Sequence, residues 1–349
     1  MTDFTGELAA LGTALSFAFG STLFTFAGRH FGSALVNRTR LLMSVVILMA
    51  IHLFLYHELL PSQITPESFF WLAASGIVGL ALGDASLFQA FIMIGPRLSM
   101  LMMALAPVVS VILAWLFLGE VLSFQSLLGI GLTVAGIFWV VSERQGRKKQ
   151  KTTSDLPTRT YLLGLLFGLG GALGQAGGLI LSKFALNEGV EPLSATLIRM
   201  LVAMFWVWTI AVGRRQVASS VRELRIYPRA IGFLLLATIF GPVIGVTLSQ
   251  VAVQRAPVGI ASTLMSLTPI FLIPLGFVIF KEKVSWRTSL GTLVAFAGTA
   301  LLFVLLFLRC YCVAIALLLR CCCVTIALPL LEGPQRPHLA LTCGATSGA

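Results

Sequence analysis

Pro107–Glu120 reads PVVSVILAWLFLGE, and Pro269–Glu282 reads PIFLIPLGFVIFKE. Each run opens on proline, is almost wholly apolar, and closes on glutamate at the same distance. Two such runs in register point to duplication of something larger. Working outward, Gly129 and Gly136 downstream of the first run match Gly291 and Gly298 downstream of the second. Upstream, Gln89–Pro96 aligns with Gln250–Pro257 after a slip of one residue. Further upstream, Arg40 before LLMSVVI matches Arg199 before MLVAMFW. Several anchors in one order describe a chain that reads twice.

Hydrophobic residues make up 58% of the 349 residues and charged residues only 11%. Mean hydropathy is +0.97. A soluble domain carries about 25% charged residues, so this chain is predicted to lie in a membrane. A crossing helix needs about 20 mainly apolar residues. Runs that meet this requirement fall at about 6–27, 34–56, 68–93, 97–118 and 124–142, then at 160–182, 192–212, 229–253, 257–280 and 286–308. Continuous apolar runs must be helices, because lipid offers no partner for an unpaired peptide group. The strand-length alternation of an outer-membrane barrel is absent from the pattern. The predicted fold is all-α and polytopic: ten transmembrane helices in two five-helix repeats, at 1–142 and 160–308. A basic polar linker at 143–159 joins them, and an atypical Cys-rich tail follows at 309–349. Five is odd, so the repeats must be inverted relative to each other.

Loop charges agree with inversion. The loop near 57–67 has no Lys or Arg, whereas its counterpart carries Arg214, Arg215, Arg222, Arg225 and Arg229. The positive-inside bias puts 143–159 in the cytoplasm and the N-terminus outside. The first span is too long and lacks the basic leader of a cleaved signal peptide, so it is predicted to be retained. The net charge of +11 is accounted for by these loops and calls for no nucleic acid. All six cysteines lie beyond residue 309, so none can staple or metallate the bundle. In the tail, RCYCVAIALLL is nearly repeated by RCCCVTIALPL. This tandem reads either as a palmitoylated or interfacial segment or as an unselected extension.

The doubled five-helix unit, with Arg40 and Arg199, Pro107–Glu120 and Pro269–Glu282, and the Gly-spaced closing helices, resembles the EamA-type family of the drug/metabolite transporter superfamily. The resemblance covers about residues 6–308. It implies a ten-helix basket around a central cavity that carries a small metabolite or drug across a plasma membrane. It also implies cytoplasmic termini, which the loop charges oppose, and a chain that stops near the tenth span, which the tail departs from.

No lysine stands in a Gly-Lys-Ser/Thr sequence and no HExxH occurs, so an ATP-driven pump or zinc hydrolase is not expected. No cofactor or metal is predicted. Asp84 is the one acid well inside a span. An ionised Asp at mid-bilayer costs roughly 2.5–3.5 kcal/mol on an insertion scale, so Asp84 should face the interior. It would serve as a proton or cation coupling site, as a partner for a substrate amine, or as a buried structural bond. Gln89, Gln175 and Gln250 can bind a polar solute or bridge helices. Arg40 and Arg199 can attract an anionic group or snorkel to the interface, and Arg199 is the deeper of the two. Pro107 and Pro269 each remove a backbone bond in mid-span, as a fixed kink or a hinge. Glu120 and Glu282 stand at helix ends, where capping is expected. Glycines 164, 168, 170, 174 and 178 give small-xxx-small spacing suited to close helix contact. His52 is expected as an interfacial side chain.

The predicted function is secondary transport, with export more in keeping with the resemblance than uptake. The predicted partners are a small-molecule substrate, the lipid bilayer and a coupling proton or cation. The alternatives are a membrane-embedded enzyme acting on a lipid-linked substrate, or a non-transporting scaffold. An enzyme needs clustered His, Asp or Cys, whereas His30, His52 and His57 are scattered. A scaffold or sensor needs a soluble domain, and no polar stretch is long enough.

Overall fold

The computed structural model describes residues 4–103, 105–146, 158–226, 228–268, 270–271 and a few positions between 290 and 301. Predictions that fall on Pro269, Glu282, the linker at 147–157 and the tail at 309–349 lie outside the described residues. Among the described residues there is no strand. The helices are α1 (Thr5–Tyr56), α2 (Pro66–Ser75), α3 (Asp84–Met103), α4 (Ala106–Leu118), α5 (Phe124–Gly146), α6 (Thr158–Asn187), α7 (Pro192–Gly213), α8 (Val217–Ile226), α9 (Pro228–Thr238), α10 (Val246–Arg255) and α11 (Val258–Met265).

Local chemistry sets several of these ends. Thr65 caps α2 by accepting from the Ser68 N–H at 3.1 Å, and Pro66 follows where a helix loses nothing by lacking an N–H. Gly119 ends α4 with φ +65°, the left-handed turn that favours glycine. Among the described residues, six segments are long and apolar enough to cross a membrane: Thr5–Phe24, Ala34–Tyr56, Pro66–Leu87, Arg159–Asn187, Pro192–Gly213 and Ala230–Arg255. Ala106–Leu118 and Phe124–Trp139 are shorter apolar helices. The outside of the bundle is greasy, with Phe54, Phe205 and Trp115 at 81%, 67% and 63% exposure. So much exposed aromatic surface suits lipid and not water. The chain is an integral membrane protein.

Two apolar segments sit inside α1, whose 52 residues would extend ~78 Å if straight. It is not straight. Thr5 lies against Arg255, Gln254 bonds the Val190 carbonyl, and His52 bonds Ser194, so both ends of α1 share one face. α3 also reverses. A methyl placed on Gly168 would touch both Met102 and Ala90, which would be ~18 Å apart along a straight helix. Open loops were expected at both reversals, near residues 28–33 and 94–96. The backbone instead stays helical through them. At the end of the second reversed helix, α3 stops at Met103 and α4 starts at Ala106, so the fourth apolar run is carried by two helical pieces. The second repeat does the same, with α11 stopping at Met265 and a turn at Ser266–Leu267. Pro107 and Pro269 follow these breaks at equivalent positions.

Symmetry shows in the contacts. A methyl on Gly136 would strike Ala295, and one on Gly298 would lie 2.5 Å from Thr133, the counterpart of Ala295. The contact is reciprocal, as across a twofold axis. Likewise α6 meets the π-helical turn Gly76–Gly83 through Gly174 and Gly178, against Gly83 and Gly79, while α1 meets the π-helical turn Ile239–Gly245 through Gly20 against Gly241. Added methyls on Gly174 and Gly178 would stand 2.5 and 2.8 Å from the facing glycine Cα atoms. The glycine stripe therefore lets backbones touch, as its spacing predicted. α1 and α6 nevertheless start on opposite faces, because Lys183, near the end of α6, reaches the helix junction that lies beside Thr5.

Candidate functional site: a central chamber

Where these elements converge there is a cavity of about 300 Å³. Both repeats line it. The broken fourth run contributes Met103 and Ala106, and its counterpart contributes Met265, Ser266 and Thr268. The two π-helical turns contribute Leu80, Gly241 and Pro242. Such turns lack the regular i to i−4 ladder and recur at functional sites. Pro242, which has no N–H, lies within the second of them. Phe17, Phe24 and Leu87 make much of the remaining wall apolar.

Three ionisable side chains meet in it. Arg40 on α1 pairs through Nη2 with Oδ2 of Asp84, the first residue of α3. Its Nε donates to Asn37 Oδ1 at 2.8 Å, and its guanidinium lies over the Phe24 ring at 5.9 Å. Arg40 is therefore held inside the bundle and does not snorkel. Arg199 on α7 is 3% exposed, and its Nε and Nη1 have no hydrogen-bond partner among the described residues. Its backbone is pressed by the first π-helical turn, where a methyl on Gly76 would lie 2.5 Å from the Arg199 carbonyl.

The other predicted residues divide. Gln175 lines the chamber. Gln250 is fully buried next to it, with Nε2 at 3.4 Å from Ser249 Oγ and Oε1 unpartnered. Gln89 does not reach the chamber: it is exposed on α3. It lies five residues beyond Asp84, about 140° around the helix at 3.6 residues per turn. His52, near the end of α1, is 2% exposed and bonded to the Glu58 carbonyl at 2.7 Å and to Ser194 Oγ at 3.1 Å, and so joins α1 to the start of α7.

Sequence reading also missed a polar latch. Lys183 donates to the carbonyls of Val253, Gln254 and Ala256 at 2.5, 3.2 and 3.4 Å, a cation at the C-terminus of α10. Glu120 accepts from the Val258 N–H at 2.9 Å, an anion at the N-terminus of α11. Burial holds the Glu120 carboxyl above the usual carboxylate range, against the opposing pull of the Val258 N–H and the Lys183 charge. Beneath the latch, an apolar cluster runs from chamber-lining Leu179 and Met265 to Ala9 and Ala256 near the Thr5 face. Among the described residues, apolar packing therefore lies between the chamber and that face.

The profile of the EamA-like transporter family matches residues 4–142 and 162–304. The chain belongs to the EamA-like transporter family. A solved structure, described only as the crystal structure of a protein, is similar in fold with a TM-score of 0.69. Its sequence is 17% identical, and the match covers 87% of this chain and 98% of that one. No curated protein sequence matches this chain.

Proposed function

We propose that this EamA-family protein is a secondary transporter with ten membrane crossings, arranged as two five-helix repeats inverted in the bilayer. It moves a small metabolite, amino acid or drug across the plasma membrane by alternating access, in the export direction. The observation that carries this reading is the chamber at the junction of the repeats, walled by two symmetry-related broken helices and holding Arg40, Asp84 and Arg199. Discontinuous helices at a repeat interface are the usual setting of a transporter's substrate site. In this reading the apolar packing under the Lys183–Glu120 latch closes the chamber toward the Thr5 face, and the positive-inside bias supports a cytoplasmic place for the opposite face. Asp84 is the coupling candidate, since protonation would dissolve its pair with Arg40 and leave two cations in one chamber. No cofactor has a role in this scheme.

The test is solute flux in vesicles that contain only this protein, with and without a proton or cation gradient. Asp84→Asn should abolish gradient-coupled flux while the protein still purifies as a folded species. Full coupled flux in that variant would remove the coupling role, and no solute-dependent flux in the wild type would remove the transport reading.

A further inference from the structure

The two repeats treat their arginines differently. In the first repeat, Asp84 is the first residue after the π-helical turn Gly76–Gly83, and it neutralises Arg40. In the second repeat, the residue at that station, first after the turn Ile239–Gly245, is Val246. Val246 lines the same chamber as Arg199, the counterpart of Arg40. The second repeat supplies no acid at that station, and among the described residues Arg199 Nε and Nη1 have no hydrogen-bond partner at 3% exposure.

A guanidinium buried at mid-depth is costly unless an anion meets it. Asp84 acts on Arg199 only at longer range, because its contact ion pair is with Arg40. Two arginines and one aspartate leave the chamber one positive charge in excess. A single negative charge balances it, whereas a dianion overshoots. A zwitterion brings an ammonium group that would need a free carboxylate, and Asp84 is occupied. A second feature favours an anion in the same chamber. The 13-residue α4 begins at chamber-lining Ala106 with no side chain capping its N-terminus, so its positive dipole end is available. The remaining wall of Phe17, Phe24, Leu87 and Met103 suits an apolar body. A volume of about 300 Å³ lies at the small end of ligand cavities.

We propose that the chamber binds a small monocarboxylate with an apolar body, its carboxylate on Arg199 in the place that the first repeat fills with Asp84. The transport of such a molecule rests on the reading given under Proposed function; its binding does not.

The test uses the purified full chain in detergent, with thermal unfolding followed by tryptophan fluorescence. The probes are benzoate, phenylacetate and 3-phenylpropionate, each against its neutral amide, with phenylalanine and phenyl phosphate as the zwitterion and the dianion. The acids should raise the melting temperature in a saturable way. The amides should not, and phenylalanine and phenyl phosphate should bind more weakly than the monoanions. Arg199→Gln should weaken acid binding roughly 10- to 150-fold, the range for a lost hydrogen bond to a charged group. Val246→Asp places a carboxylate in the chamber that Arg199 lines and should weaken acid binding more than Val246→Asn, which is isosteric with it, does. That pair carries the test even if Arg199→Gln does not fold. Amides that bind as well as acids, the absence of any acid-induced shift, or equal binding by the Asp and Asn variants would overturn the proposal. Counterflow of the bound acid in proteoliposomes is scored separately. Acid binding without flux upholds the site and ends the transport reading. Flux of neutral or cationic solutes without acid binding upholds transport and ends the site.

Discussion

Replacing Gly178 by alanine asks whether backbone contact between α6 and the Gly76–Gly83 turn holds the chamber wall together. The new Cβ would stand 2.8 Å from Gly79 Cα and 3.3 Å from Gly79 N. Both are backbone atoms, so no flexible side chain can swing aside and the helices must separate. Overpacking of this kind costs about 1–3 kcal/mol. Alanine also improves on glycine in a helix by about 0.8–1.0 kcal/mol, so the net effect is a destabilisation of about 0–2 kcal/mol. The propensity gain is removed by a control. Gly131 on α5 and Gly232 on α9 have nothing within 4 Å of an added Cβ, so alanine there gains the propensity and meets no wall. The difference between Gly178→Ala and Gly131→Ala is then the packing cost alone, about 1–3 kcal/mol. It would be measured as denaturant or thermal unfolding in micelles, followed by tryptophan fluorescence. A Gly178→Ala protein as stable as Gly131→Ala would refute the claim that these helices meet backbone to backbone.

Three further outcomes are expected. Glu120 has a folded-state pKa above its ordinary value of 4.5, so the fold favours its protonated form more than the unfolded chain does. Its contribution to stability is full below the unfolded value and is lost as pH rises through the raised folded value. Glu120→Gln keeps an acceptor for Val258 and should flatten that part of the stability–pH profile, read as melting temperature across acid to neutral pH; an unchanged slope would count against it. Lys183→Met removes the cation that caps α10 and should cost about 1–2 kcal/mol of stability, measured by the same unfolding; a neutral result would mean that the three carbonyls are satisfied otherwise. In a background lacking the six native cysteines, Gln145→Cys should resist an impermeant maleimide applied outside cells while Ser62→Cys reacts; the reverse pattern would overturn the orientation read from loop charge.

Much of the site was legible because a charge in an apolar run is conspicuous. Asp84, Arg40 and Arg199 announce themselves by cost alone, and the structure gathers all three at one chamber. The breaks ahead of Pro107 and Pro269 were legible too, since proline cannot continue a bonding ladder. Gln89 failed because repeat matching equates positions, not the faces they present. The reversals at 28–33 and 94–96 were placed by span length, but the helical backbone that carries the chain through them was not legible, because a few turn-prone residues there read as open loops. The latch joins Lys183 to carbonyls about seventy positions away, and a backbone acceptor carries no residue signature. Chamber serines such as Ser249 and Ser262 are equally silent, because a hydroxyl in an apolar helix most often bonds its own preceding turn, as Ser249 does with the Val246 carbonyl at 2.7 Å.

The division of labour between backbone and side chain follows from this geometry. Every departure from regular helix near the chamber comes in a symmetry-related pair: the two π-helical turns, and the two breaks at the middle of the fourth and ninth apolar runs. The crossing glycines that let the helices approach are paired as well. Inverted repeats that trade conformations exchange these elements, so equivalent backbone weaknesses on both sides are what alternating access needs. The charges are not paired. Asp84 has a counterpart in Val246, so exchanging the repeats moves the scaffold onto itself while the carboxylate stays with one half. A symmetric scaffold can rock in either direction at similar cost, whereas a one-sided carboxylate makes the chamber's preference for a ligand depend on which half encloses it. If that separation is correct, moving the acid by the double substitution Asp84→Val with Val246→Asp should preserve the fold and transfer the open arginine from Arg199 to Arg40.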